Sequence, residues 1–87
     1  MYDFEFDKNK RASNLNKNGI DFVEAQELWY DPDLIEIKAK CENEPRYLIV
    51  AKIKRKHWSA IITYRIDKIR IISVRRSRKS EVELYEA

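Results

Sequence analysis

An α+β fold, with an antiparallel sheet and helices mostly on one side of it, is what this sequence predicts. Two observations carry the expectation. Helix starts and stops punctuate the first third of the chain, at Asp7, Gly19, Asp21 and Asp31-Pro32-Asp33. From Leu34 onward the apolar period changes to two and β-branched residues dominate. The 87 residues suit one small domain, residues 1–87, with no length for a second core. Hydrophobic residues at 44% and charged residues at 38% fit a folded chain rather than a disordered tail. A single glycine excludes a Gly-rich nucleotide loop.

Phe4 and Phe6 alternate with acids, which suits a very short extra strand. Asp7 is placed to cap a helix over Lys8–Asn18, and Gly19 to supply its left-handed stop. Ala12 and Leu15 are the clear apolar contacts of that helix, a narrow stripe. Asp21 with Glu24 gives a capping-box-like start to a second helix, with Ile20 before it as a staple. Phe22, Ala25 and Trp29 share its inner face, and Asp31-Pro32-Asp33 ends it. Four main strands are expected at Leu34–Lys40, Arg46–Arg55, Trp58–Ile66 and Ile69–Val74, with a polar turn at Cys41–Pro45. Arg55-Lys56 and Asp67-Lys68 are the simplest hairpin connections. Neither is a favoured turn sequence, which leaves the register open to a slip of one residue. A short helix over Arg78–Glu86 follows, with Ser77 as its cap.

The net charge of +3 conceals a large asymmetry. Residues 1–45 carry six Lys/Arg against eleven Asp/Glu, residues 46–79 carry twelve against Asp67 alone, and residues 80–87 add three glutamates. Such segregation points to a polyanionic ligand. In the expected register one side of the sheet collects Tyr47, Ile49, Ala51, Ile53, Trp58, Ala60, Ile62, Tyr64, Ile66, Ile69 and Ile71 as the core. The other collects Arg46, Lys52, Lys54, His57, Ser59, Thr63, Arg65, Arg70 and Arg76 around Leu48, Val50, Ile61, Ile72 and Val74, with no carboxylate among them. Arg75 falls on the core side at the strand end, within reach of Glu81. The cations then ring one face, whose apolar centre also suits a protein partner.

A cationic groove without paired carboxylates argues against metal-dependent phosphodiester cleavage. It suits a metal-free route on RNA, in which the ribose 2′-OH attacks its own phosphate. Arg65, Arg70 and Arg76 bring permanent charge for the transition state. His57, the only histidine, is the first candidate for proton transfer, and it reads equally as an exposed turn residue. Lys52 and Lys54 suit either a base of lowered pKa or simple backbone contacts. Tyr85 suits a proton donor, a stacking platform or a packing residue. Trp29 and Tyr30 read as core or as a partner contact. Ser59 lacks a readable orienting acid, and Cys41 a cationic neighbour, so neither reads as a nucleophile. No metal or other cofactor is expected. The lone cysteine, the absence of a signal-like start and the shortness of the apolar runs suit a cytoplasmic protein with no membrane span.

Certain residue strings carry a resemblance. Phe4-Glu5-Phe6-Asp7, Lys10, Asn14, Gly19-Ile20, Phe22 to Ala25 and Asp31-Pro32 resemble the first half of the BrnT family of type II toxins. Glu44-x-Arg46-Tyr47, Trp58-Ser59-Ala60 with Thr63-Tyr64-Arg65, Ile69 to Arg76, Arg78-Lys79-x-Glu81 and Tyr85 resemble the second. The resemblance implies a RelE-like fold and an endoribonuclease that cuts mRNA and inhibits translation. It also implies a BrnA-like antitoxin with a ribbon-helix-helix domain, whose complex with the toxin binds operator DNA and represses its own promoter. By matching position it assigns catalysis to Arg65, Arg75, Arg76 and Tyr85, to which the charge pattern adds His57. Lys10, Arg46, Lys52, Lys54 and Arg70 are the expected RNA-binding residues. The chain departs from the family at Asn18, where Lys-His-Gly is usual, and lacks a glycine common near Ala51–Ile53. A non-catalytic basic module that grips nucleic acid or an acidic protein is the rival reading, separable by whether RNA is turned over.

Overall fold

The computed structural model describes residues 2–39 and 43–87. The Asp7 carboxylate accepts the N–H groups of Asn9 and Lys10 at 2.8 and 3.2 Å, which starts helix α1 over Lys8–Asn18. Gly19, at φ +78°, ends the helix by returning its N–H to the Leu15 carbonyl at 3.0 Å. Both ends lie where the cap residues predict. The expected apolar stripe does not anchor the helix, because Ala12 and Leu15 are exposed. Its one buried side chain is Asn14.

The second helix, Glu24–Tyr30, is 3₁₀ rather than α. Asp21 does start it, accepting the N–H groups of Val23 and Glu24 at 3.0 and 2.8 Å. Three residues per turn align i with i+3, so Phe22, Ala25 and Leu28 form the buried line. Trp29 therefore leaves the expected α-helical face and packs at the core margin, edge-on to Phe4 at 5.0 Å.

Five strands form a mixed sheet in the order β1-β5-β4-β3-β2: β1 Phe4–Glu5, β2 Ile35–Ala39, β3 Arg46–Ile53, β4 Lys56–Arg65 and β5 Lys68–Arg76. Only β1 runs parallel to its neighbour, β5; the other pairs are antiparallel. Helix α2, Lys79–Glu86, follows β5. Arg78, not Ser77, is its N-cap residue, and Glu81 reaches back to accept the Arg78 N–H at 2.8 Å. The expected strand end at Lys40 and the first part of the Cys41–Pro45 turn, Cys41 included, lie outside the described residues. Among those described, no helix is long and apolar enough to cross a membrane.

Both hairpin turns come one residue earlier than expected, at Lys54-Arg55 and Ile66-Asp67. Cross-strand partners therefore shift by two, which preserves the faces. Ala51, rather than Ile53, pairs with Trp58, and Tyr64 pairs with Ile69. The first residue of each turn sits at positive φ, Lys54 at 59° and Ile66 at 54°. Ile66 is thus fully exposed instead of in the core, and Tyr64 is half exposed.

One correction reaches further. A bulge interrupts the β4–β5 register between Ile61 and Ile62, leaving Ile72 without a cross-strand partner. Beyond it, Val74 pairs with Ala60 and is fully buried in the core. Arg75 pairs with Ser59 on the opposite face, and Arg76 pairs with Trp58 on the core side. The expected faces of Val74, Arg75 and Arg76 are all reversed. Asn14 accounts for how this stretch is held: its amide donates to the carbonyls of Val74 and Ile20 at 2.9 and 2.8 Å, and its oxygen accepts the Val74 N–H at 3.1 Å. A helix side chain thus takes the place of a strand on the outer edge of β5, where β1 no longer pairs.

Candidate functional site

The face opposite the core is not free of carboxylates. β1, the loop before β3 and α2 each bring acids to it, and pairing within β3–β5 alone does not reveal them. Glu5 of β1 accepts Arg70 at 2.8 Å, and Glu44 accepts Arg65 at 3.3 Å. Glu81 and Glu86 arrive on α2.

Glu81 is the hub of a buried network. Its two oxygens accept both arms of the Arg75 guanidinium at 2.8 and 2.7 Å, the Ser59 hydroxyl at 2.8 Å and the Arg78 N–H. The Arg75 hydrogen bonds outweigh burial and hold the Glu81 carboxyl at about 2, with the Arg78 N–H and Ser59 adding to the effect. Ser59 also meets Ser77 at 2.7 Å. Arg75 is therefore committed to anchoring α2.

At the far end of α2 a second cluster gathers at the mouth of the β3–β4 hairpin. Lys52 and His57 are cross-strand partners. His57 Nε2 lies 2.8 Å from Glu86 Oε2, and the Lys52 ammonium lies 3.7 Å from the same oxygen. The hydrogen bond to His57 lowers the pKa of Glu86, and Lys52 adds to the shift. Tyr85 stands edge-on to the His57 ring at 5.1 Å, with the Lys52 ammonium 5.9 Å from its centroid. Its hydroxyl donates to Asp31 Oδ2 at 2.6 Å, and that oxygen also accepts the Lys52 N–H at 2.8 Å. Burial opposes ionisation of Asp31, but the hydrogen bonds from Tyr85 and from the Lys52 and Asp33 amides prevail and lower its pKa. Burial and then Asp31 raise the pKa of Tyr85, so its proton stays on the phenol. A carboxylate-held imidazole beside an ammonium is equipped to take a proton next to an anion.

The cations nearest this cluster are uncommitted. Lys54, Arg55 and Lys56 are exposed and, among the described residues, make no ion pair. Arg76 lies over the Trp58 ring at 5.5 Å, and the Ser77 N–H bonds the His57 carbonyl at 3.1 Å, which ties the end of β5 to His57. Arg76 itself points to the core side, away from the His57 face, whereas His57, Lys52, Lys54 and Tyr85 are brought together. Arg65 is not. Eight steps along β4 separate it from His57, about 26 Å at the rise of an extended strand. Arg70 pairs with Thr63 near that distant end, and Arg46 starts β3 there, its Nε buried with no hydrogen-bond partner among the described residues. Lys10 is exposed on α1. Among the described residues, no three His, Cys, Asp or Glu side chains gather as a metal site would require.

Glu86, Asp31 and Trp58 were not among the expected site residues. No pattern in the sequence links Glu86 or Asp31 to His57, since both reach the cluster by packing. Alternation places Trp58 in the core, and it does lie there, with Arg76 closing over it.

Residues 6–81 match the model of one family, the ribonuclease toxin BrnT of type II toxin–antitoxin systems. The chain belongs to this BrnT family. A search of the curated proteins returns no match. The family is one of type II ribonuclease toxins, which implies an RNA substrate and an antitoxin partner. Within this BrnT chain, the His57 cluster is where an imidazole, a carboxylate and uncommitted cations meet.

Proposed function

We propose that this chain is a metal-independent endoribonuclease of RelE-like fold that cuts mRNA in the cytoplasm and so inhibits translation. The observation that carries the reading is His57, held by Glu86 among the cations of the β3–β4 turn, in a chain of the BrnT family. With Nε2 engaged by Glu86, Nδ1 is left to accept the proton of a ribose 2′-OH. The O2′–P bond forms as the P–O5′ bond breaks, and the leaving oxygen takes its proton from water. The products are a 2′,3′-cyclic phosphate and a 5′-hydroxyl. Lys52 supplies charge to the pentavalent transition state, and Lys54 and, round the strand end, Arg76 bind the flanking backbone. Tyr85 positions His57 through its ring, since its proton is engaged by Asp31. Arg75 acts through Glu81, as a positioning residue for α2. Arg46 and Lys10 serve RNA beyond the scissile phosphate, whereas Arg65 and Arg70, already paired with Glu44 and Glu5, add little to its binding. A BrnA-like ribbon-helix-helix antitoxin neutralises the toxin, and their complex binds operator DNA and represses its own promoter.

The test is incubation with an RNA oligonucleotide in EDTA. Cleavage is expected to persist, to leave a cyclic phosphate, and to stop when a 2′-deoxy residue replaces the attacking ribose. Cleavage abolished by EDTA overturns the metal-free route. Tight, salt-sensitive RNA binding without turnover overturns the enzyme and leaves a binding module.

A further inference from the structure

Residues 20–37 contain six carboxylates and neither lysine nor arginine. The 3₁₀ helix sorts part of this segment into three lines. Phe22, Ala25 and Leu28 are buried; Val23, Gln26 and Trp29 flank them; Glu24, Glu27 and Tyr30 point outward. Beside the outward line lies a cleft of about 420 Å³ lined by Tyr2, Phe4, Gln26, Trp29 and Tyr30, without a charged residue in its walls. Tyr30 is 86% exposed and Tyr2 59%, so much aromatic surface is left uncovered. Tyr30 also borders a neighbouring hollow of about 380 Å³, where Glu27, Asp31 and Asp33 face Lys52 and Lys54. Among the described residues, Glu24, Glu27 and Asp33 make no ion pair.

An RNA strand is a poor occupant, because its phosphates would lie against these carboxylates. We infer that the cleft docks the antitoxin, through a segment that seats an aliphatic or aromatic side chain between Tyr2 and Tyr30 and sets Lys or Arg against Glu24, Glu27 and Asp33. The inference rests on the reading of the chain as a toxin with a protein partner. Its geometry explains how binding on an acidic surface blocks a basic one. Glu24 shares a further hollow with Lys54, Arg55, Lys56 and Trp58, so a segment on the acidic line lies next to the cationic turn.

The experiment titrates the purified chain with the purified product of the adjacent reading frame, and separately with labelled RNA. Glu24→Lys/Glu27→Lys and Tyr30→Ala are each expected to weaken the protein partner about ten-fold or more. RNA affinity is expected to stay level for Tyr30→Ala and to hold or rise for the charge reversal. Melting temperatures check that these exposed substitutions leave the fold intact. Partner affinity equal to wild type in both variants overturns the surface while the toxin reading stands. RNA binding weakened by Tyr30→Ala overturns it too, marking the cleft as a base-stacking surface. A wild-type chain that binds no such partner overturns both.

Discussion

Ile66 holds a left-handed backbone at φ 54° while its side chain lies fully in solvent. A β-branched residue there bears about 1–2 kcal/mol of strain, with no packing in return. Ile66→Asn is expected to raise stability by about 1 kcal/mol, read as a higher urea midpoint at unchanged slope; an unchanged midpoint would show that the turn relaxes around isoleucine. Glu81 argues in the other direction. Its carboxyl is held at about 2 against an ordinary 4.5, so its contribution is complete above pH 4.5 and is lost as the pH falls toward 2. That contribution is about 3 kcal/mol at 1.36 kcal/mol per unit. Glu81→Gln is expected to lower stability at pH 7 and to flatten the acid limb of the stability curve below pH 4.5. A limb as steep as in the wild-type chain would assign the acid sensitivity to other carboxylates.

At the level of elements, what the sequence made legible followed from local chemistry. Asp7 and Gly19 bound α1 as their cap preferences require, and period two placed every main strand. Turn positions were not legible, because neither connection contains an Asn-Gly-like pair. Short of the bulge the faces survived, since both turns moved the register by an even step. The bulge was hidden because Ile61-Ile62 and Ile71-Ile72 are apolar at consecutive positions and carry no alternation to break. The strand beyond it is held from outside the sheet by Asn14, a polar residue of α1 with no apolar signal. The hairpin pattern brings Lys52, Lys54 and His57 together, whereas Glu86 and Asp31 were illegible because they arrive from sequence-distant elements. The Asn14 contact yields its own expectation. Asn14→Leu leaves three buried or strand-edge backbone groups without partners, at a cost of about 3 kcal/mol. Amide exchange at Val74 and in the second half of β5 is expected to accelerate ahead of that in β3. Uniform acceleration across the sheet would mean that Asn14 supports the whole fold rather than the bulged strand.

Across the whole molecule, the cations fall into two kinds. Arg65, Arg70 and Arg75 each meet a carboxylate within 3.3 Å, so their charge is largely answered within the protein. Lys54, Arg55 and Lys56 meet none among the described residues, and a phosphate backbone displaces no internal partner when it binds them. Counterion release then concentrates at the β3–β4 turn. Each phosphate neutralised on a single strand contributes about 0.7 to the slope of log affinity against log salt. Replacing all three turn cations with alanine is therefore expected to flatten that slope by about 2, whereas Arg65→Ala/Arg70→Ala should change it by less than about half a unit. Fluorescence anisotropy of a labelled RNA at several salt concentrations measures both. The opposite ranking would place the RNA path at the distant end of β4, where Glu44 and Glu5 would have to yield their arginines to phosphate.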